Sequence, residues 1–396
     1  MAVRDNASGN PPKTAFYNDP VIRGYLYQLI VVVLVIGFFT WIVVNTAQNL
    51  AAQNKSTGFD FLGRTAGFSI SFTLIPFDRT SYYWQAFVVG LLNTLLVAAI
   101  GIFFATIIGF TVGIARLSSN WLIARLATFY VEIIRNIPLL LQLFFWYFAV
   151  LKAMPAVKDS LALPFGSFLN QRGFFVPRPI WDERIVWMWL ALAIIIVFCA
   201  VLRKWAQRRL FETGRRFPVL LTAIAGSVII AVAVFVLSGA TVTFDFPELQ
   251  RFNFRGGQEL PPEFVALAFG LSIYTAAFIA ETVRGGIKAV SRGQTEAAES
   301  LGLREGDRLR LVVLPQAMRV IVPPLTSQYL NLTKNSSLGA AIGYPELVNV
   351  FAGTTLNQTG KAIEVIGMTM LVYLTFSLLT SAFMNWYNSR VALVER

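Results

Sequence analysis

Gly293-Gln294-Thr295-Glu296-Ala297-Ala298-Glu299-Ser300-Leu301-Gly302-Leu303-Arg304-Glu305-Gly306-Asp307-Arg308-Leu309-Arg310-Leu311-Val312-Val313-Leu314-Pro315-Gln316-Ala317 is the stretch on which the fold of this chain turns. It lies in a polar segment, 283–319, that carries 7 basic and 4 acidic residues between two apolar runs. Ser291 and Gln294 have capping-box spacing, which predicts a helix beginning there. Ala297, Ala298 and Leu301 then make a face of small residues that another surface can approach closely. Gly302 suits the left-handed position that closes such a helix, and 304–313 read as a second short helix before Leu314-Pro315 leads back to an apolar run. Two short helices at an angle make a knob shaped for a partner's groove. An interfacial helix with a solvated charged face fits the same residues, and the spacing alone leaves both readings open.

Outward from this segment the chain is apolar. Of its 396 residues 56% are hydrophobic and only 14% charged, well under the quarter or so of a soluble domain. Eight runs near 20 residues are each long enough to cross about 30 Å of hydrocarbon. They are approximately 27–46, 86–114, 126–151, 185–202, 219–238, 264–282, 320–343 and 364–386. The fold class expected is therefore an all-α polytopic membrane protein with about eight transmembrane helices. The second and third runs are long and are expected to tilt. Pro323, Pro324 and Lys334 interrupt the seventh.

An even number of spans puts both termini on one side. With the N-terminus inside, 20 Lys and Arg face the cytoplasm and 11 the outside, while Arg135 and Lys334 lie within spans. Counting carboxylates, the inside carries +12, the outside +1 and the spans −1. The excess of 33 basic over 21 acidic residues is thus a topology signal and calls for no nucleic acid. There is no histidine and a single cysteine, Cys199, which removes His-dependent catalysis, His/Cys zinc sites and an intrachain disulfide. No phosphate-binding loop occurs; Gly360-Lys361-Ala362 lacks both the hydroxyl residue and the loop. The chain is not expected to be its own ATPase, nor to carry a cofactor or metal.

Residues 1–20 are polar and hold no signal-peptide core, so the first span is expected to act as an uncleaved signal-anchor behind a loose tail. The outer segments 47–85, 152–184 and 239–263 mix aromatics with Pro and Gly, as expected of compact interfacial caps. Between spans four and five lie Arg203, Lys204, Arg208, Arg209, Arg215 and Arg216. An anionic-lipid contact fits that loop, but its simpler reading is a positive-inside determinant, with membrane lipid as its neighbour.

Glu296-Ala297-Ala298, then Gly302, Val312 and Leu314-Pro315, closely resembles the EAA signature of ABC importer permeases, with Val312 where that family usually has isoleucine. Ala280-Glu281-Thr282-Val283-Arg284-Gly285-Gly286-Ile287 and Leu332-Thr333-Lys334-Asn335-Ser336-Ser337-Leu338 resemble the polar amino acid branch. So do Gly90-Leu91-Leu92-Asn93-Thr94-Leu95 and Tyr130-Val131-Glu132-Ile133-Ile134-Arg135-Asn136-Ile137-Pro138-Leu139-Leu140-Leu141-Gln142. The resemblance covers about 84–151 and 264–390, which hold five spans, the number of the type I importer permease core. It implies a cytoplasmic tail 1–26, an extra first span and outer segment 27–83, and core parts 84–151 and 264–390. It further implies a coupling loop 284–319, an insertion 152–263 with two extra spans, and a cytoplasmic end 391–396. The layout is most like the larger permease subunit of general L-amino acid ABC importers. The partners implied are a cytoplasmic ABC ATPase dimer, a second permease subunit, a periplasmic amino-acid-binding protein and the amino acid itself. The site implied is a bacterial inner membrane, with both termini cytoplasmic. Gln294, Glu296, Ala297, Ala298, Leu301, Gly302, Leu314 and Pro315 become the residues expected to dock the ATPase.

Charges inside the spans supply the candidate path. Glu132 and Arg135 are spaced i, i+3 and can share a helix face. An uncompensated charge there costs at least ~3 kcal/mol, so they neutralise each other or face a cavity. A zwitterion needs a cation for its carboxylate and an acceptor for its ammonium. That pair, or Lys334 with Glu132, offers both, and Lys334-Asn335-Ser336-Ser337, after the interrupted helix at Pro323-Pro324, is the better pore candidate. An internal ion pair that only fixes packing fits Glu132 and Arg135 equally well. The same charges leave room for an ion- or proton-coupled secondary amino acid carrier, which does not account for the EAA spacing. Glu281 and Arg284 are expected to brace the coupling loop, and Glu364 to snorkel at the outer interface.

Overall fold

The computed structural model describes residues 20–52, 58–214 and 217–391. Most of the expected tail 1–26, all but the first residue of the end 391–396, and Arg215 and Arg216 lie outside the described residues. Among those described, seven helices are long and apolar enough to cross a membrane. They are α1 (Pro20–Ala52), α2 (Tyr83–Ala115), α5 (Trp187–Thr213), α6 (Val219–Leu237), α7 (Pro262–Lys288), α10 (Leu314–Asn335) and α12 (Ala362–Val391). An eighth crossing needs the bent pair α3 (Trp121–Asn136) and α4 (Leu139–Phe144), the latter continued by a π-helical turn, Phe145–Leu151.

The run 126–151 is therefore not one tilted span: it turns by 105° between Asn136 and Leu139. Pro138 has no N–H and pushes the residue before it out of the helical region, and Ile137 sits at φ −104°, ψ 128°. The freed carbonyls are not abandoned. The Gln142 side-chain amide donates to Ile134 O and Ile137 O, both at 2.9 Å, and the residue is buried. Asn-Ile-Pro with Gln142 is the sequence of a corner.

A second difference concerns the helix after the coupling loop. The expected short helix 304–313 is not separate: α9 (Glu305–Arg308) runs through a π-helical turn, Leu309–Val313, into α10. Pro315 removes one N–H from the first turn of α10, and the wider turn before it absorbs the loss. Nor do Pro323 and Pro324 interrupt α10; the helix carries through both to Asn335 and tightens to a 3-10 turn only at Ser336–Ile342.

In lipid the apolar effect gives neighbouring helices little reason to associate, so close packing of small residues must do it. α2 and α7 form the central pair. A Cβ on Gly113 would stand 2.8 Å from Ala280 O, and one on Gly109 2.6 Å from Ile279 Cβ, so glycine lets the two backbones approach. α10 packs on α7, and α12 on α10. Leu267, Leu271, Ile279, Ile321 and Leu332 are fully buried in the resulting core.

The Gly90–Thr94 string pins the hairpin after α10. Asn93 Nδ2 donates to Phe72 O at 2.9 Å and Pro345 O at 2.8 Å, and Thr94 Oγ1 accepts from Leu347 N at 3.1 Å. Glu346 caps the following π-helical turn, Val348–Thr355, by accepting from Val348 N and Asn349 N at 2.8 Å each. A one-turn helix, α11 (Leu356–Thr359), leads to α12. Glu364 does not snorkel: it is buried and accepts from Gly58 N, tying α12 to the outer segment.

Outside the helical body, two of the three segments expected as caps, 152–184 and 239–263, fold on short strands. β1 (Leu161–Leu163), β2 (Ser167–Asn170), β3 (Gly173–Val176) and β8 (Gln258–Leu260) form one antiparallel sheet in the order β1-β2-β3-β8. β4 (Arg178–Trp181) pairs with β5 (Val242–Asp245), and β6 (Glu248–Gln250) with β7 (Asn253–Arg255). Phe175 and Phe254 are buried between them, 4.9 Å apart. α5 and α6 pack chiefly on one another.

Candidate functional site: a docking loop, an ion cluster and a membrane cavity

The loop 289–313 is built around α8 (Arg292–Ser300). The helix starts where expected, after Ser291, but without a side-chain cap. Gln294 turns instead to α10, accepting from Gln316 Nε2 at 3.2 Å. Gly302 ends the helix at φ +71°, and Gly302 N and Leu303 N donate to Glu299 O and Ala298 O at 2.8 and 3.2 Å. Arg308 pairs with Glu299, bracing α8 against the rod that follows.

The expected small-residue face divides. Ala298 is buried against its own chain, whereas Glu296, Ala297 and Gly302 are exposed and Leu301 is 81% exposed. Leu314 and Pro315 lie at the start of α10, both exposed. The outward surface of the loop therefore presents a large apolar side chain beside a glycine turn, with no cover from this chain.

Beside this loop, at the end of α7, Glu281 gathers three guanidinium groups. Arg116, the C-cap of α2, and Arg284, one turn along α7, both donate to its carboxylate. Arg135 of α3 stands 3.8 Å away and lies over the Phe278 ring, 5.2 Å from its centroid. One carboxylate thus joins α2, α3 and α7 where α7 leads into α8. The expected Glu132–Arg135 partnership is not the one formed: Arg135 is drawn to α7, and Glu132 is exposed on another part of α3. Arg116 was outside every motif, and its contact joins residues 165 apart, so no local pattern announces it.

Lys334 lines a cavity of about 410 Å³ with Ser337, Val348, Thr369, Met370 and Tyr373. Tyr373 Oη donates to Glu346 Oε2 at 3.4 Å. An ammonium, two hydroxyls and a phenol thus face one space between α10 and α12. Ser336 is not among them; it is fully buried, and its hydroxyl donates to Thr333 O at 2.6 Å. Asn335 is half-buried at the end of α10. Ser337 belongs to the expected Lys334–Ser337 string, whereas Thr369 and Tyr373 were missed because they lie in an otherwise ordinary apolar span.

Helices of spanning length, an open groove beside Lys334 and Tyr373, and an uncovered loop after α7 are the parts of a membrane permease. Residues 201–393 match the family described as "Binding-protein-dependent transport system inner membrane component". The chain is 53% identical to the general L-amino acid transport system permease protein AapQ of Rhizobium johnstonii, over 97% of this chain and 96% of that one. It is 49% identical to the putative amino-acid ABC transporter permease protein YhdX of Escherichia coli, over 96% and 97%. To the glutamate/glutamine/aspartate/asparagine transport system permease protein BztB of Rhodobacter capsulatus it is 40% identical, over 98% and 99%. The chain belongs to the ABC importer permeases of the polar amino acid family. The ABC importer reading thereby stands over the secondary carrier. As a permease of a binding-protein-dependent inner-membrane system, the chain works with an ATPase and a substrate-binding protein.

Proposed function

We propose that this chain is the larger permease subunit of a broad-range L-amino acid importer. The observation that carries the reading is the 53% identity, along almost the whole length, to a general L-amino acid permease. Segments 84–151 and 264–390 form the transport core, 284–319 the coupling loop, and 152–263 an insertion. The first span, 27–46, is an addition that precedes the core. Both termini face the cytoplasm, as the charge asymmetry supports. A second permease subunit of the same family completes the path.

ATP hydrolysis belongs to a separate ATPase dimer, in whose cleft Gln294, Glu296, Ala297, Ala298, Leu301, Gly302, Leu314 and Pro315 form the docking surface. Leu301 is the apolar anchor and Gly302 the turn that presents it. ATP closes the dimer, α8 moves, and the Glu281 cluster passes that motion to α2 and α3. On the outer side a binding protein delivers the amino acid. Lys334 receives its carboxylate in the cavity shared with Tyr373, while Asn335 and Ser336 hold the end of α10. Glu132 and Arg135 lie nearer the inner mouth, where Arg135 serves the ion cluster.

A gentle pull-down of the tagged chain from native membranes tests this assembly. An ATPase with a phosphate-binding loop, recovered with a second EAA-bearing permease, is the expected outcome. Recovery of two copies of this chain on the ATPase, with no second permease, would replace the heterodimer by a homodimer.

A further inference from the structure

We infer that a groove between the last turns of α5 and the start of α6 holds the headgroup of an anionic phospholipid, beyond the topology role of this basic segment. The inference rests on the reading of α5 and α6 as membrane spans. Their charge-free runs, 187–202 and 219–237, stop at Arg203 and start at Val219, both in the lining of the groove, which sets it at the height of the lipid headgroups.

The groove has about 370 Å³ of space and is lined by Arg203, Ala206, Gln207, Leu210, Phe217 and Val219. Arg203, Gln207 and Leu210 recur at i, i+4 and i+7, so one face of α5 presents a cation, an amide and an apolar side chain in order. Ala206 is buried, and its small side chain leaves room at the floor. Arg209 has a different task. Its guanidinium lies 5.2 Å from the Trp205 ring centroid and 5.5 Å from that of Phe217, and those rings meet edge to face at 5.0 Å. That stack holds Phe217 as one wall of the groove.

Charge selects the occupant. Arg203, Lys204, Arg208 and Arg209 face a single acidic residue, Glu212, among positions 203–214. A phosphate on Arg203 and Gln207, with its acyl chain leaving past Leu210 and Val219 onto the exposed Leu220 and Ile224, uses both halves of the lining. Leu210, Val219 and these flanking residues give a free inorganic anion nothing to bind.

Native mass spectrometry of the intact importer, stripped of lipid and titrated with phosphatidylglycerol or phosphatidylcholine, tests the assignment. Phosphatidylglycerol should be retained about fivefold more than phosphatidylcholine, the contribution of one basic residue at a headgroup. Arg203→Gln should abolish that preference. Lys204→Gln, which removes the same charge outside the groove, should preserve it. Equal loss in both variants would overturn the site and leave only generic attraction, as would a wild type without preference. Displacement of phosphatidylglycerol by millimolar inorganic phosphate would overturn the lipid assignment. Should Arg203→Gln fail to assemble, Leu210→Gln must weaken retention of phosphatidylglycerol, and unchanged retention in that variant would count against the groove.

Discussion

Arg116, at the end of α2, and Glu281, near the end of α7, meet in an ion pair across 165 positions of sequence. The Arg116 side chain is only 10% exposed, so removing the carboxylate leaves a desolvated guanidinium without its partner. Glu281→Gln is expected to cost about 2–3 kcal/mol and lower the thermal midpoint of the detergent-solubilised complex. Arg116→Gln should act in the same direction, and the double variant should lose clearly less than the sum. Additive losses would mean that the pair does not act as a unit.

Gly302 tests the docking turn in a different way. A Cβ placed there would meet nothing within 4 Å, so a substitution is opposed by the positive φ and not by space. Gly302→Val should strain the turn by about 1–2 kcal/mol, displace Leu301 and uncouple ATP hydrolysis from uptake in proteoliposomes. Gly302→Asn, which tolerates the left-handed region, should keep most of the coupling. Equal damage from both would shift the explanation from backbone geometry to direct contact with the ATPase.

Gln142 should be intolerant of a change that preserves its shape. Gln142→Glu exchanges the amide donor for an acceptor facing Ile134 O and Ile137 O, two carbonyls at a buried corner. A loss of about 1–3 kcal/mol is expected, and protease susceptibility at the bend should rise. Gln142→Leu removes the donor without adding a charge and should rank between Glu and wild type.

Lys334→Met removes the ammonium from the cavity between α10 and α12. Uptake of an amino acid should fall by about tenfold or more, the loss of a charge-assisted hydrogen bond to a carboxylate, at normal membrane abundance. ATPase activity stimulated by the binding protein should survive better than uptake. Unchanged uptake would take Lys334 out of the path.

Burial pushes the Glu346 carboxyl up to about 7 from its ordinary 4.5, against the pull of the Val348 and Asn349 amides and the Tyr373 hydroxyl. The folded state therefore holds a proton that the unfolded chain releases. That contribution to stability is complete below about pH 4.5 and is lost as pH rises towards 7, by about 3 kcal/mol. Thermal midpoints measured across that window should fall with pH more steeply in wild type than in Glu346→Gln. Parallel curves would show that Glu346 does not set the slope.

The spans were legible because length and apolarity are local properties, and the short helix closed by Gly302 because its signals sit within 25 consecutive residues of sequence. The corner at Pro138 was equally present in the letters, but an unbroken apolar run from 126 to 151 outweighed one proline. Pro323 and Pro324 misled in the opposite sense, since neighbouring helices and a membrane setting let α10 continue through them. Glu132 and Arg135 had the spacing of a pair, yet tertiary contact with α7 offered Arg135 a better partner. The outer strands run three or four residues each, too short to display alternation.

β3 and β8 pair with Val176 opposite Gln258, so the chain leaves and returns at adjacent positions. Everything between them, α5 and α6 included, is a closed excursion. It crosses the bilayer twice, and an even number of crossings leaves the orientation of α7 and all that follows unaltered. A tight turn joining the two strands could therefore replace the whole excursion without inverting the docking loop. Parity is what would let a segment of that size be removed while the helices after it keep their sides.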